Sequence, residues 1–238
     1  MPPLQAIFFD IGDTLVFDDP PLRERLASAA RSVGQPLDAA RLPAAFRAGE
    51  AYAVGRYVQG VPWDAPDAMR EGVARMWLAL DRPPPDDECW QALGAAFAAV
   101  PFTRYVHPDA PGLLRELKTR GFTVGAISDW ETTLPNLLAG MGLAQHLDAL
   151  AVSAIVGVTK PSPRLFQEAL RQANVAPEHS LHVGDWYELD VAGARAAGMQ
   201  ALLLDSHGRR PDADCPRVET FDALAAYLLA LLRPVDGL

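Results

Sequence analysis

Five short apolar runs punctuate the chain: residues 4–9 (LQAIFF), 122–128 (FTVGAIS), 147–154 (LDALAVSA), 180–185 (SLHVGD) and 201–205 (ALLLD). They are nearly continuous in apolar character rather than alternating, which is the pattern of strands buried on both faces of a sheet. Between them the spacing turns helical. PGLLRELKTRG ends on Gly121, a natural helix stop, and further helical stretches fall near 131–141, 162–174 and 187–198. FDALAAYLLALL, from Phe221, reads as a closing helix. Strands alternating with helices predict parallel βαβ units. The expected fold is therefore α/β, a three-layer Rossmann-like parallel sheet core assembled from residues 1–17 and 105–238.

Residues 18–104 break this alternation. LRERLASAARSVG, AMREGVARMWLAL and ECWQALGAAFAAV have amphipathic helical spacing and are separated by proline-rich turns such as RPPPDD. No strand is expected there. The segment reads as a small helical domain planted directly after the first strand, and neither a repeat nor a low-complexity linker interrupts the chain.

Composition narrows the classes of function. Within 238 residues the formal net charge is -9, the wrong sign for a protein that neutralises a nucleic-acid backbone. No apolar run reaches the roughly 18 residues that a membrane span needs. The opening MPPLQ lacks a basic segment followed by an apolar one, so no signal peptide is expected. Cys89 and Cys215 are too few and too far apart for a disulfide framework or a zinc cluster, and a cytoplasmic setting is the expectation. Arginine supplies 19 of the 21 basic residues, which singles out the two lysines, Lys118 and Lys160.

The candidate chemistry lies where the strands stop. In an open parallel sheet, ligands bind beyond the carboxyl ends of the strands. Asp10 follows the first run, Ser128 and Asp129 the second, and Asp185 the fourth. Lys160 lies past the third, in GVTKPSPRLF, and Asp190 follows Asp185 within GDWYELD. Carboxylates converging without a basic cluster repel one another unless a cation sits among them. Oxygen donors of this kind suit Mg2+.

Four segments, FFDIGDTL, AISDW, TKPSP and VGDWYELDVAGARAAGM, together resemble the motifs of the haloacid dehalogenase-like hydrolase superfamily, in the same order and across nearly the whole core. The insertion at 18–104 resembles that family's helical cap. The resemblance implies that Asp10 is a nucleophile forming an aspartyl-phosphate and that Ser128 hydrogen-bonds the transferring phosphoryl group. It also implies that Lys160 balances their charge. Mg2+ would be held by Asp10, the Gly12 carbonyl and Asp185, with Asp190 acting directly or through water. A small phosphorylated substrate is the implied partner.

One position departs from the family pattern. Phosphatases of the family carry DxDGT, whose second acid serves as general acid and base. Here DIGDT puts Gly12 in the acid's place and shifts the carboxylate by one, to Asp13. Haloacid dehalogenases also lack that acid, but they lack as well the metal-binding acid pair that this chain keeps. Phosphonoacetaldehyde hydrolases use a cap lysine, and residues 18–104 contain none. Two functions remain open: a Mg2+-dependent phosphatase of small monoesters, or a catalytically weak or inactive relative that binds a phosphorylated ligand or a protein partner. Asp129, Trp130 and Trp186 are candidates for lining the substrate, against simpler roles as loop and packing residues. His182 reads as a core histidine, Thr14 as a turn residue, and Gly193 as a site of close helix packing.

Overall fold

The computed structural model describes residues 3–231. The strands are β1 (Ala6–Phe9), β2 (Val16–Asp19), β3 (Thr103–Val106), β4 (Thr123–Ser128), β5 (Ala149–Val152), β6 (Ser180–Gly184), β7 (Gln200–Leu204) and β8 (Arg217–Val218). Six of them form one sheet in the order β5-β4-β1-β6-β7-β8, and every pairing in it is parallel. The first strand is therefore central. The chain builds outward from it through β4 to β5, then crosses to its other side for β6, β7 and β8. That reversal leaves a crevice at the carboxyl end of β1, the place where such sheets bind ligands.

Side chains alternate across the pleat, and both faces are buried. Ile7, Phe9, Val124, Ala126, Leu181, Val183, Leu202 and Leu204 face one apolar layer. It is completed by α5 (Ala110–Thr119), α6 (Leu134–Gly140) and α10 (Phe221–Leu231). Ala6, Phe8, Ile127, Ala201 and Leu203 face the other, covered chiefly by α8 (Pro163–Ala173) and α9 (Ala192–Ala196). The result is an α/β sandwich of three layers. A Cβ on Gly193 would overlap the Phe166 ring, so glycine there lets α9 approach α8. The closing helix is described as far as Leu231; the last leucine of FDALAAYLLALL lies outside the described residues.

By internal contacts the chain divides into two compact units, Met1–Phe17 with Tyr105–Leu238, and Asp18–Arg104. The second holds α1 (Leu22–Ser32), α2 (Leu42–Val58), α3 (Pro66–Ala79) and α4 (Asp87–Ala98). Its core includes Ala29, Ala45, Met76, Trp77 and Leu93. Gly49 on α2 passes so close to α3 that an added Cβ would meet the Gly72 carbonyl oxygen at 2.8 Å. The Asp86 carboxylate caps α4 by accepting the Cys89 N–H at 2.8 Å, satisfying one of the donors that a helix start leaves open. Arg25 stacks on Phe102, its guanidinium carbon 3.7 Å from the ring centre.

Several elements differ from the sequence expectation. Residues 16–19 and 103–106 pair as a two-stranded ribbon, along which the chain leaves for and returns from the helical segment. VFDD and TRYV are mostly unburied, so no apolar pattern announces them. The third run is a strand only over Ala149–Val152 and then coils into α7, the single turn Ser153–Val156. The stretch expected as one helix at 187–198 begins as a π-helical turn, Tyr187–Val191, before α9.

Candidate active site

Each site residue leaves the sheet at a carboxyl edge. Asp10 follows β1, its N–H held by the Val183 carbonyl at 2.8 Å, and Asp185 follows β6. Ser128 closes β4 and is 1% exposed. Lys160 arrives from the loop before α8, its main-chain N–H donating to both oxygens of Asp129, at 3.0 and 3.2 Å. The carboxylate of Asp129 thus anchors the lysine loop.

Lys160 is the hub. Its buried ammonium donates to Asp10 Oδ1 and Asp190 Oδ1, each at 2.6 Å. Burial opposes its charge, but Asp10, Asp190 and Asp129 outweigh burial and hold its pKa above the usual lysine range. Asp190 is also buried, yet Lys160 and His182 keep its carboxyl below the ordinary value. Asp190 Oδ1 accepts from His182 Nε2 at 2.9 Å, and Oδ2 accepts from the Trp186 N–H at 2.9 Å. His182 is fully buried in the sheet, edge-on to Phe166 with ring centres 5.2 Å apart; burial lowers its pKa. It is a core histidine, as its apolar strand predicts, and it also orients an acid of the site.

The fit of Asp190 depends on Gly184. A Cβ on Gly184 would overlap the Asp190 carboxyl carbon and lie 2.6 Å from its Cβ. Gly184→Ala is expected to cost about 1–3 kcal/mol, the usual range for overpacking, and to swing Asp190 away from Lys160. Urea denaturation checks this, and an unchanged midpoint would mean that the strand yields freely.

Asp10, Asp185 and Asp190 each present an oxygen within 4.8 Å of the others, all buried. The Asp185 carboxyl is pushed well above its ordinary value, first by burial, with Arg209 opposing and Asp10, Asp13 and Asp190 adding repulsion. The chain's own cations therefore leave the cluster short of positive charge. Hard oxygen donors in that condition fit a hard divalent cation.

Gly12 and Asp13 part company in space. Asp13 takes a left-handed backbone, φ 51°, a conformation Asp tolerates better than most residues. Its carboxylate turns toward His207, with Oδ2 3.8 Å from Nε2. At Gly12 a built Cβ would lie 3.7 Å from Trp130 Cζ3, so the indole faces the position of the absent acid. The main-chain N–H of Trp130 donates to Ser153 Oγ at 3.1 Å. Thr14 Oγ1 is buried with no hydrogen-bond partner.

Two residues escaped the sequence reading. Arg209 donates from Nη1 to Asp185 Oδ2 at 2.9 Å and lies over the Trp186 ring, 4.0 Å from its centre. Asp205, fully buried, holds the loop that carries Arg209. The available signal was ALLLD, a fifth apolar run ending in an acid, followed by HGRR.

A haloacid dehalogenase-like hydrolase family model matches residues 4–198. The chain belongs to that family. It is 43% identical over 104 residues to the human haloacid dehalogenase-like hydrolase domain-containing protein 3, a match covering 44% of this chain and 41% of that protein. A phosphoserine phosphatase of Thermus thermophilus is 33% identical over 228 residues, covering 88% of this chain and 91% of the relative. Among solved structures, the HAD-hydrolase YfnB of Bacillus subtilis, crystallised with magnesium, superposes with a TM-score of 0.63 at 16% identity, over 95% of this chain and 99% of the other. At that identity the likeness speaks to the fold. Among the described residues, no helix of this hydrolase is long and apolar enough to cross a membrane.

Proposed function

We propose that the protein is a Mg2+-dependent phosphatase of small phosphate monoesters that works through an aspartyl-phosphate on Asp10. The observation that carries this reading is the Lys160 ammonium, buried and shared between Asp10 and Asp190 at 2.6 Å each. Lys160 holds Asp10 Oδ1, which aims the carboxylate and lowers the charge met by an incoming phosphate. The other oxygen attacks phosphorus as the bond to the ester oxygen breaks, and the departing alkoxide or phenolate takes its proton from water; a second water then cleaves the acyl phosphate, releasing inorganic phosphate and restoring Asp10. Ser128, at the neighbouring strand end, is assigned as a donor to a phosphoryl oxygen.

Asp10, Asp185 and the Gly12 carbonyl would hold the metal, which supplies charge neutralisation for the phosphoryl oxygens. Both oxygens of Asp190 already accept from chain donors, so its assigned role is to orient Lys160, with any contribution to the cation passing through water. Residues 18–104 are assigned the family's cap role of choosing among substrates. The relatives support phosphate esters as the substrate class: a phosphoserine phosphatase in Thermus thermophilus and a glyceraldehyde 3-phosphate phosphatase in Pyrococcus furiosus. A cytoplasmic setting is part of the same reading.

A second reading, a weakly active member that retains a phosphorylated ligand or a protein partner, is favoured by Gly12 and by the turn of Asp13 toward His207. A panel of phosphomonoesters assayed with Mg2+ and with excess chelator separates the two. Turnover that needs the cation is expected. Tight binding of phosphorylated compounds with no turnover would select the second reading, and full activity in chelator would remove the metal.

A further inference from the structure

The loop after β7 takes no part in the reaction just assigned, yet it is built with care. Asp205, at the strand's end, accepts the N–H of Arg209 at 2.6 Å, the N–H of Arg210 at 3.1 Å and the Arg217 Nε at 2.8 Å. Gly208, with φ 63°, makes the reversal between them. This pins the backbone of Arg209. Its side chain, 9% exposed, then runs over the Trp186 ring to Asp185 Oδ2. Trp186 is itself tied to Asp190 Oδ2 through its main-chain N–H. Three separate contacts therefore aim one guanidinium at a carboxylate of the acid cluster.

We propose that Arg209 is a built-in counter-cation of Asp185 that competes with the divalent cation for that carboxylate. The proposal rests on the metal reading above. Asp185 is buried and crowded by Asp10 and Asp190, so without a positive partner its ionised form would be costly. The guanidinium supplies that partner. A cation entering the cluster must share or take the oxygen that Arg209 holds, and pays for the displacement in affinity. The coupling is reciprocal: whatever loosens the arginine tightens the cation, and a bound cation loosens the arginine. Arg209 thereby sets how much free cation the hydrolase needs.

The test titrates Mg2+ alone into the full chain, by calorimetry and by tryptophan fluorescence, since Trp186 lies beneath the guanidinium. Arg209→Gln is expected to lower the Mg2+ Kd about tenfold, the size of effect that one charge removed from hydrogen-bonding range of a ligand can produce. Without cation the same variant is expected to melt lower than wild type, and added Mg2+ should raise its Tm by more than it raises that of wild type. Arg209→Lys, which keeps the charge but loses the planar fork and its stacking, should give an intermediate Kd and guards against a variant that fails to fold. An unchanged or weaker Kd in both variants, with wild type still binding Mg2+, overturns the competition and leaves the phosphatase reading standing. Absence of Mg2+ binding in wild type and variants alike overturns both.

Discussion

Asp10→Asn is expected to reduce phosphomonoester turnover by about 10³-fold or more, the scale of loss when a covalent nucleophile is removed. The protein should nonetheless stay folded. Three buried carboxylates, Asp10, Asp185 and Asp190, face two cations, the buried Lys160 and the partly exposed Arg209. Removing one acid relieves repulsion, and Lys160 keeps Asp190 as an ionised partner, so no charge is orphaned. Thermal unfolding should show a transition as sharp as that of wild type, while acid-quenched protein incubated with a labelled phosphate ester should carry label in wild type alone. Turnover or labelling in Asp10→Asn at the wild-type level would move the nucleophile elsewhere.

Leaving-group dependence is the second large effect. With Gly12 in place of the acid, no side chain at that position protonates the departing oxygen. General acid–base assistance is typically worth about 10²–10⁴-fold, so aryl phosphates should be cleaved at least about 10²-fold better than alkyl phosphates. The phosphoenzyme should persist as well, because its hydrolysis lacks the same help. Asp13 takes a left-handed backbone, φ 51°. Its side chain is 46% exposed and directed at His207, so Asp13→Asn should leave the aryl-to-alkyl ratio where it was. Gly12→Asp should narrow the ratio: a Cβ at that position makes only ordinary contact with Trp130, and the carboxylate beyond it needs the indole to give way. A wild-type ratio near one that rises on Asp13→Asn would hand the acid–base role to Asp13, by a swing away from His207.

The odd acid of DIGDT shows what a one-residue shift does. In sequence, Asp13 is a neighbour of the position that should carry a carboxylate. In space, the tight turn in which Leu15 and Val16 donate to the Ile11 carbonyl, at 3.0 and 2.8 Å, sends its side chain another way. Gly12 instead lies opposite Trp130, which comes from the β4 loop. That meeting belongs to the fold and leaves no trace in either segment alone.

The core strands and the acids at their ends were legible for one physical reason. A parallel sheet covered on both faces demands continuous apolar runs, and its open carboxyl edge is where a polar residue can follow without being buried unpaired. Asp10, Ser128 and Asp185 stand at such transitions; Lys160, in the loop before α8, and Asp190, five residues past Asp185, lie within recognisable patterns. The ribbon β2–β3 was illegible because VFDD and TRYV bury little and so carry no periodic signal. Helix α2 was missed as well, since its buried set is Leu42, Ala45, Gly49, Val54 and Tyr57, too rich in small residues to draw an apolar stripe. By itself, then, the sequence determined the layered sheet, the family and the acids and lysine of the candidate site, because burial and strand ends are local demands written residue by residue. Only the tertiary structure decided that Asp129 anchors the lysine loop, that His182 orients Asp190, and that Arg209 reaches Asp185 across 24 residues. These are pairings of charges and donors brought together by the parallel crossovers, and nothing in local spacing says which partner each one meets.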